Sequence, residues 1–138
     1  MTTFPVTVQF PIHWSDMDAM GHANNARFFT WFEAARIECL SRIGMKIPTA
    51  SGLGPIVASI QCDYRRPVVF PATLAVSTGI ARLGNTSFHM DYVLARTDQP
   101  EVVCAQGTSV IVLFDYVKQQ KVPITEAMRA TLAEFLIS

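Results

Sequence analysis

HWSDMDAMGHANNARFFTWFEAARIECLSRIG, from His13 to Gly44, changes character partway along. His13 to Asn25 holds two carboxylates, two histidines, two asparagines and a glycine. From about Asn24 the pattern turns helical. Phe28, Phe32, Ala35 and Cys39 recur at helical spacing, and Phe29, Trp31, Arg36 and Leu40 fill the adjacent faces. A helix apolar on several sides must be an interior helix. Glu38 and Arg42 form an i,i+4 pair in the favourable order. Asn24 or Asn25 is a candidate N-cap, and Gly44 a candidate C′ stop.

On either side of this stretch the period is two. Val6, Val8 and Phe10 alternate with Thr7 and Gln9 between Pro5 and Pro11, which predicts a strand at a sheet edge. After the helix, PTASGLGP (48–55) reads as a loop. IVASIQCDYRR (56–66) and TLAVSTGIARL (73–83) read as strands, the second ending at the turn Gly84-Asn85. Phe88, Met90, Tyr92 and Leu94 alternate with His89, Asp91 and Val93. A turn at Thr97–Pro100 leads to a long strand from about Val102 to Phe114. Thr125 is the candidate N-cap of an amphipathic helix ending near Leu136. One domain, 1–138, is expected: α+β, with an antiparallel sheet curved around one long helix and a short C-terminal helix.

Composition narrows the function classes. The formal net charge is +0, and no Lys/Arg run offers nucleic acid a footprint. Apolar residues make up 50% and charged residues 16%, against a typical charged share of about 25%. So little charge on a small domain implies that a second subunit covers part of the surface. Cys39, Cys62 and Cys104 are odd in number and widely spaced, as expected of thiols in a reducing compartment. No signal peptide is recognisable, and no apolar run approaches the ~18 residues of a membrane span. A cytoplasmic protein without membrane insertion is the expectation.

WSDMDAMGHANN ahead of a helix, with YRRP on a strand some forty residues later, resembles the 4-hydroxybenzoyl-CoA thioesterase-like family of hotdog-fold acyl-CoA thioesterases. DAMGHANN is closer to the general acyl-CoA branch than to the aromatic-substrate branch, which tends to be apolar where His22 stands. The resemblance implies a hotdog fold, an acyl-CoA substrate and no metal or organic cofactor. It also implies a homodimer with joined sheets and active sites at the interface, or a dimer of dimers. Asp18 matches the family's catalytic carboxylate, and the backbone N–H near Asn25 matches the group that polarises the thioester carbonyl. The chain departs from the family after Pro67, where VVFPATL lacks the usual carboxylate.

Chemistry agrees with that assignment. Thioester hydrolysis makes an oxyanion and expels a thiolate that needs little protonation. It therefore asks mainly for an oxyanion stabiliser and a carboxylate. A helix N-terminus offers free N–H groups and partial positive charge. An ionised Asp18 would act as nucleophile, through a mixed anhydride, or as a general base on water. Gly21 would let backbone approach the substrate. His22 is a hydrogen-bonding partner, a general base or a structural residue of the turn. Asn24 and Asn25 cap the helix, and one of them orients water or the substrate carbonyl. Asp16 is read as a turn former.

The remaining candidates keep two readings each. Arg65 and Arg66 are a solvated sheet edge or the contact for a coenzyme A phosphate. Phe28, Phe29, Trp31 and Phe32 are core, a few of them lining an acyl pocket. Gly107 and Ser109 admit a ligand or the second sheet, or serve close strand packing. His89 and Asp91 form a surface pair without a role. His13, Asp16, Asp18 and His22 match no metal-ligand spacing. The leading function is hydrolysis of a medium- to long-chain fatty acyl-CoA. The alternatives are a non-catalytic hotdog module that senses acyl-CoA or an acyl carrier protein, and hydration of an enoyl thioester.

Overall fold

The structure, a computed structural model, describes residues 2–45 and 52–138. Among the described residues six strands and two α-helices follow one another as β1 (Val6–Pro11), α1 (Arg27–Ile43), β2 (Leu53–Tyr64), β3 (Thr73–Leu83), β4 (Ser87–Arg96), β5 (Val103–Asp115), β6 (Gln120–Lys121) and α2 (Glu126–Ala133). The strands form one antiparallel sheet in the order β1-β3-β4-β5-β2, with the two-residue β6 folded back on β5. The sheet curves around α1, the hotdog architecture. β1 and β2 are its edges, so β2 and β3, neighbours in sequence, lie apart in the sheet.

One face of the sheet supplies Leu74, Val76 and Ile80 from β3, Phe88, Met90, Tyr92 and Leu94 from β4, and Ala105 and Ile111 from β5, all at most 1% exposed. Against it α1 buries Phe28, Trp31, Phe32, Ala35, Cys39 and Leu40. Each large side chain moved from water into such a core contributes about 1.5–3 kcal/mol. Phe32 stacks on Tyr92 at 4.9 Å. It fits because β5 has Gly107 beneath it. A Cβ there would strike the Phe32 ring and come within 2.8 Å of the Gln61 carbonyl. Close strand packing, one reading for Gly107, is present in the Gln61 carbonyl of β2, but the nearer neighbour is the Phe32 ring of α1, which was not expected. Ser109 bonds the Tyr92 hydroxyl at 2.8 Å, and the buried Arg36 guanidinium donates to the same hydroxyl at 3.2 Å.

Several boundaries differ from the expected ones. Residues 48–51 of the predicted loop lie outside the described residues. Leu53, Gly54 and Pro55 are strand, paired with Asp115, Phe114 and Leu113. Pro55 is tolerated because β2 is an edge, where a missing N–H can point away from the ladder. β6 has no sequence signature, because two polar residues carry no period. α2 is shorter than predicted: Phe135 and Ile137 exchange backbone hydrogen bonds with Ile80, which pulls the chain end onto β3. Thr125 does cap α2, accepting from Met128 N–H at 3.2 Å. Gly44 ends α1 in the left-handed region at φ 100°, its N–H shared by the Leu40 and Ser41 carbonyls.

Candidate active site

Between β1 and α1 the chain makes a folded loop rather than a disordered polar link. A short 3-10 turn covers Trp14–Asp16. Asp16 is buried. One carboxylate oxygen accepts from His13 N–H at 2.8 Å, and the other lies 3.4 Å from Arg27 Nε at the start of α1. The Asp16 carbonyl takes Asn24 N–H at 2.9 Å, closing the loop upon itself. Asp16 is thus part of the loop's frame.

Asp18 faces the other way. Its N–H donates to the His22 carbonyl at 3.0 Å, and its carbonyl accepts from Gly21 N–H at 3.1 Å. Gly21 is needed for its backbone, at φ +83°. A Cβ there would meet nothing of this chain within 4 Å, so no packing within the chain asks for glycine. The Asp18 carboxylate accepts from Met20 N–H at 2.9 Å and from Asn24 Nδ2 at 3.3 Å. The loop is anchored to the segment after β2, with Ala23 N–H on the Val68 carbonyl at 2.7 Å and Phe70 N–H on Met17 Sδ at 3.4 Å.

Asn24 is the junction between this loop and the helix. While Nδ2 touches Asp18, its Oδ1 accepts from Ala26 N–H at 2.9 Å, and its carbonyl accepts from Arg27 N–H at 2.9 Å. It therefore caps the turn that leads into α1. The regular helix begins only at Arg27, with no side-chain cap at Ala26. Asn25 caps nothing with its side chain. Its carbonyl accepts from Phe28 N–H at 3.3 Å and from the Tyr64 hydroxyl at 2.8 Å. Among the described residues the Asn25 N–H has no acceptor.

A cavity of about 250 Å³ opens here, lined by His22, Asn25, Phe28, Tyr64, Arg65 and Arg66 among others. The structure thus brings together five of the residues singled out in the sequence. Asp18, Gly21 and Asn24 do not line this cavity; Asp18 stands behind Asn24, one hydrogen bond from the helix start. Arg65 turns to the outer face of the sheet, where its guanidinium donates twice to Gln106 Oε1, at 3.1 and 2.9 Å. Arg66 has no carboxylate partner among the described residues and is the freer of the two. Tyr64, the first residue of YRRP, is a member of the site that the motif alone does not mark. Its hydroxyl meets a backbone carbonyl 39 residues away, which no local pattern announces.

The other candidates sit elsewhere. Trp31 and Phe32 are core, while Phe28 meets both the core and the cavity, its ring edge-on to Trp31 and Tyr64. The His89 ring pairs with Arg82 at 2.9 Å, while its tie to Asp91 is electrostatic. Burial pushes the Cys39 thiol up to about 11, and raises Cys62 and Cys104 as well, so none is set up as a thiolate nucleophile. Among the described residues no three His, Cys, Asp or Glu side chains converge on a point that would hold a metal ion.

The family model of the thioesterase-like superfamily matches residues 12–132, from the end of β1 to α2. The chain belongs to the thioesterase-like superfamily. The family match, with the relatives below, supports thioester hydrolysis as its class of reaction. The chain is 25% identical over 129 residues to the long-chain acyl-CoA thioesterase FadM of Escherichia coli, covering 93% of this chain and 97% of FadM. It is 29% identical over 92 residues to YsmA of Bacillus subtilis, covering 67% of this chain and 62% of YsmA, so that match spans less than two thirds of the relative. A solved Thermus thermophilus thioesterase, complexed with coenzyme A and Zn, superposes with a TM-score of 0.82 at 28% identity, covering 94% of this chain and 98% of that one. Among the described residues no helix is long and apolar enough to cross a membrane.

Proposed function

We propose that this superfamily member hydrolyses the thioester of a medium- to long-chain fatty acyl-CoA, releasing free acid and coenzyme A. The observation that carries the reading is the pairing of an unused donor with a carboxylate at one helix start. The Asn25 N–H is free beside the cavity, and the Asp18 carboxylate is tied to the neighbouring Asn24 at 3.3 Å. A thioester carbonyl accepting from Asn25 N–H would have its developing oxyanion at the positive end of α1.

Two routes are chemically open to a carboxylate one hydrogen bond from the helix start. Asp18 as nucleophile adds to the carbonyl carbon, the C–S bond breaks, coenzyme A leaves as thiolate, and water then cleaves the mixed anhydride. Asp18 as base takes a proton from water, whose oxygen attacks while the same C–S bond breaks. His22 and Asn25 border the reacting space, and Gly21 and Asn24 hold the loop. Phe28 provides an apolar wall for the acyl chain. Arg66, with Arg65 behind it, offers guanidinium to a coenzyme A phosphate. FadM's long-chain specificity and the coenzyme A bound by the Thermus thermophilus protein support this substrate class.

The cavity is open and small for a fatty acyl group, which supports a site completed by a second subunit. A homodimer joined along the long edge β2, or a dimer of such dimers, would supply the missing wall.

The experiment is a thiol-release panel over acyl-CoA chain lengths. Release that peaks at medium or long chains is expected. Tight acyl-CoA binding without release at any length would instead make the chain a sensing module.

A further inference from the structure

The hydroxyl of Tyr64, the last residue of β2, donates to the Asn25 carbonyl at 2.8 Å. The other pole of that same peptide group, Ala26 N–H, is held by Asn24 Oδ1 at 2.9 Å. The preceding peptide is held by its carbonyl, Asn24 to Arg27 N–H, also at 2.9 Å. The backbone on both sides of Asn25 is thus gripped, and the one donor left over is the Asn25 N–H. Remove the Tyr64 hydroxyl and the Asn25 carbonyl retains only Phe28 N–H at a long 3.3 Å. The Asn25–Ala26 peptide would then be loosely held, and the Asn25 Cα that joins it to the Asn24–Asn25 peptide, bearer of the free N–H, would shift and spoil that donor's aim. The Tyr64 ring is itself fixed, edge-on to Phe28 at 4.9 Å.

We propose that Tyr64 is a positioning residue for thioester hydrolysis, aiming the Asn25 N–H at the substrate carbonyl; the proposal rests on the reading given above. The contact ties the end of an edge strand to the start of the helix, two elements with no shared local structure. Burial, and then the neighbouring Cys62, hold the Tyr64 phenol above its ordinary pKa, so it stays a donor through the working range. Small errors in aim are costly in catalysis: a misplacement of about 1 Å can cost about 10²-fold in rate.

The test compares Tyr64→Phe with Tyr116→Phe. Tyr116 makes the same kind of bond, hydroxyl to the Pro55 carbonyl at 2.7 Å, but lines no part of the cavity. The measurements are kcat and KM on the best acyl-CoA of the panel, Tm, and the Kd of an S-alkyl-CoA thioether, which has no carbonyl to polarise. Tyr64→Phe should lose about tenfold in kcat, with thioether binding unchanged and a Tm shift no larger than that of Tyr116→Phe, which keeps full kcat. A Tyr64→Phe kcat within twofold of wild type overturns the proposal. So does a fall in kcat matched by equally weakened thioether binding, which marks a structural role. If Asp18→Asn is inactive while Tyr64→Phe is normal, this inference alone fails. If the wild type releases no thiol from any acyl-CoA, the reading beneath it fails too.

Discussion

Asp16 and Asp18 stand two apart in a polar turn and look interchangeable in sequence, yet they do opposite work. Asp16 is buried, spending its oxygens on His13 N–H and Arg27. Asp16→Ala should therefore cost about 1–3 kcal/mol of stability by stranding a donor and loosening the loop, read as a lower midpoint in urea. Asp18 is half-buried, on two contacts that a neutral amide can partly reproduce. Asp18→Asn should leave the urea midpoint nearly unchanged and lower turnover by about 10²-fold or more, since an amide is neither base nor nucleophile. Near-normal turnover by that variant would remove Asp18 from the mechanism. The motif made both carboxylates visible in the sequence. Their division of labour was legible only in part, because burial depends on Arg27 and on the strands behind the loop. Tyr64 was not legible at all, because its partner is a backbone carbonyl and backbone carbonyls have no sequence.

Among the elements, α1 was the most readable. Its apolar residues follow the helical period over four turns, and Gly44 marks its end. Period-two alternation likewise exposed β1 and β4. Pro55 misled at β2, since a proline that reads as a loop is also compatible with an edge strand. The end of α2 misled because an amphipathic pattern continues past the residue where Ile80 captures the backbone. Gly107 shows how one residue sets the distance between two elements. Its missing side chain is where the Phe32 ring lies, so Gly107→Ala must push α1 off the sheet or tilt Phe32. The expected cost is about 1–3 kcal/mol, measured by thermal or urea unfolding. Because Phe32 is one turn beyond Phe28, turnover should fall as well. An unchanged unfolding midpoint would mean that the helix seat is softer than the contact requires.

At the scale of the whole molecule, the strand order is what the sequence withheld. Antiparallel strands joined by short turns invite a meander, but β2 instead crosses to the far side and pairs with β5. That choice leaves two unequal edges. β1 has six residues and proline at its end, a poor template for pairing. β2 has twelve, with Ile56 and Val57 more than a third exposed and the still more exposed Ile37 of α1 beside Val57. A long edge with apolar flanks is an aggregation hazard unless something covers it. The low charged fraction of 16% fits a covered edge. A second copy, pairing edge to edge, satisfies the unpaired backbone of both chains at once and is self-complementary about a two-fold axis. The native particle should therefore run at twice the 15.3 kDa of one chain, or at four times that if dimers pair, by light scattering. Val57→Lys, placing charge on the exposed β2 face, should shift the mass toward one chain. Its circular dichroism should stay native, and thiol release should fall because each site loses its second wall. A wild-type particle of single-chain mass with full thiol release would show that the open cavity at the start of α1 suffices by itself, and that the bare β2 edge is tolerated for another reason.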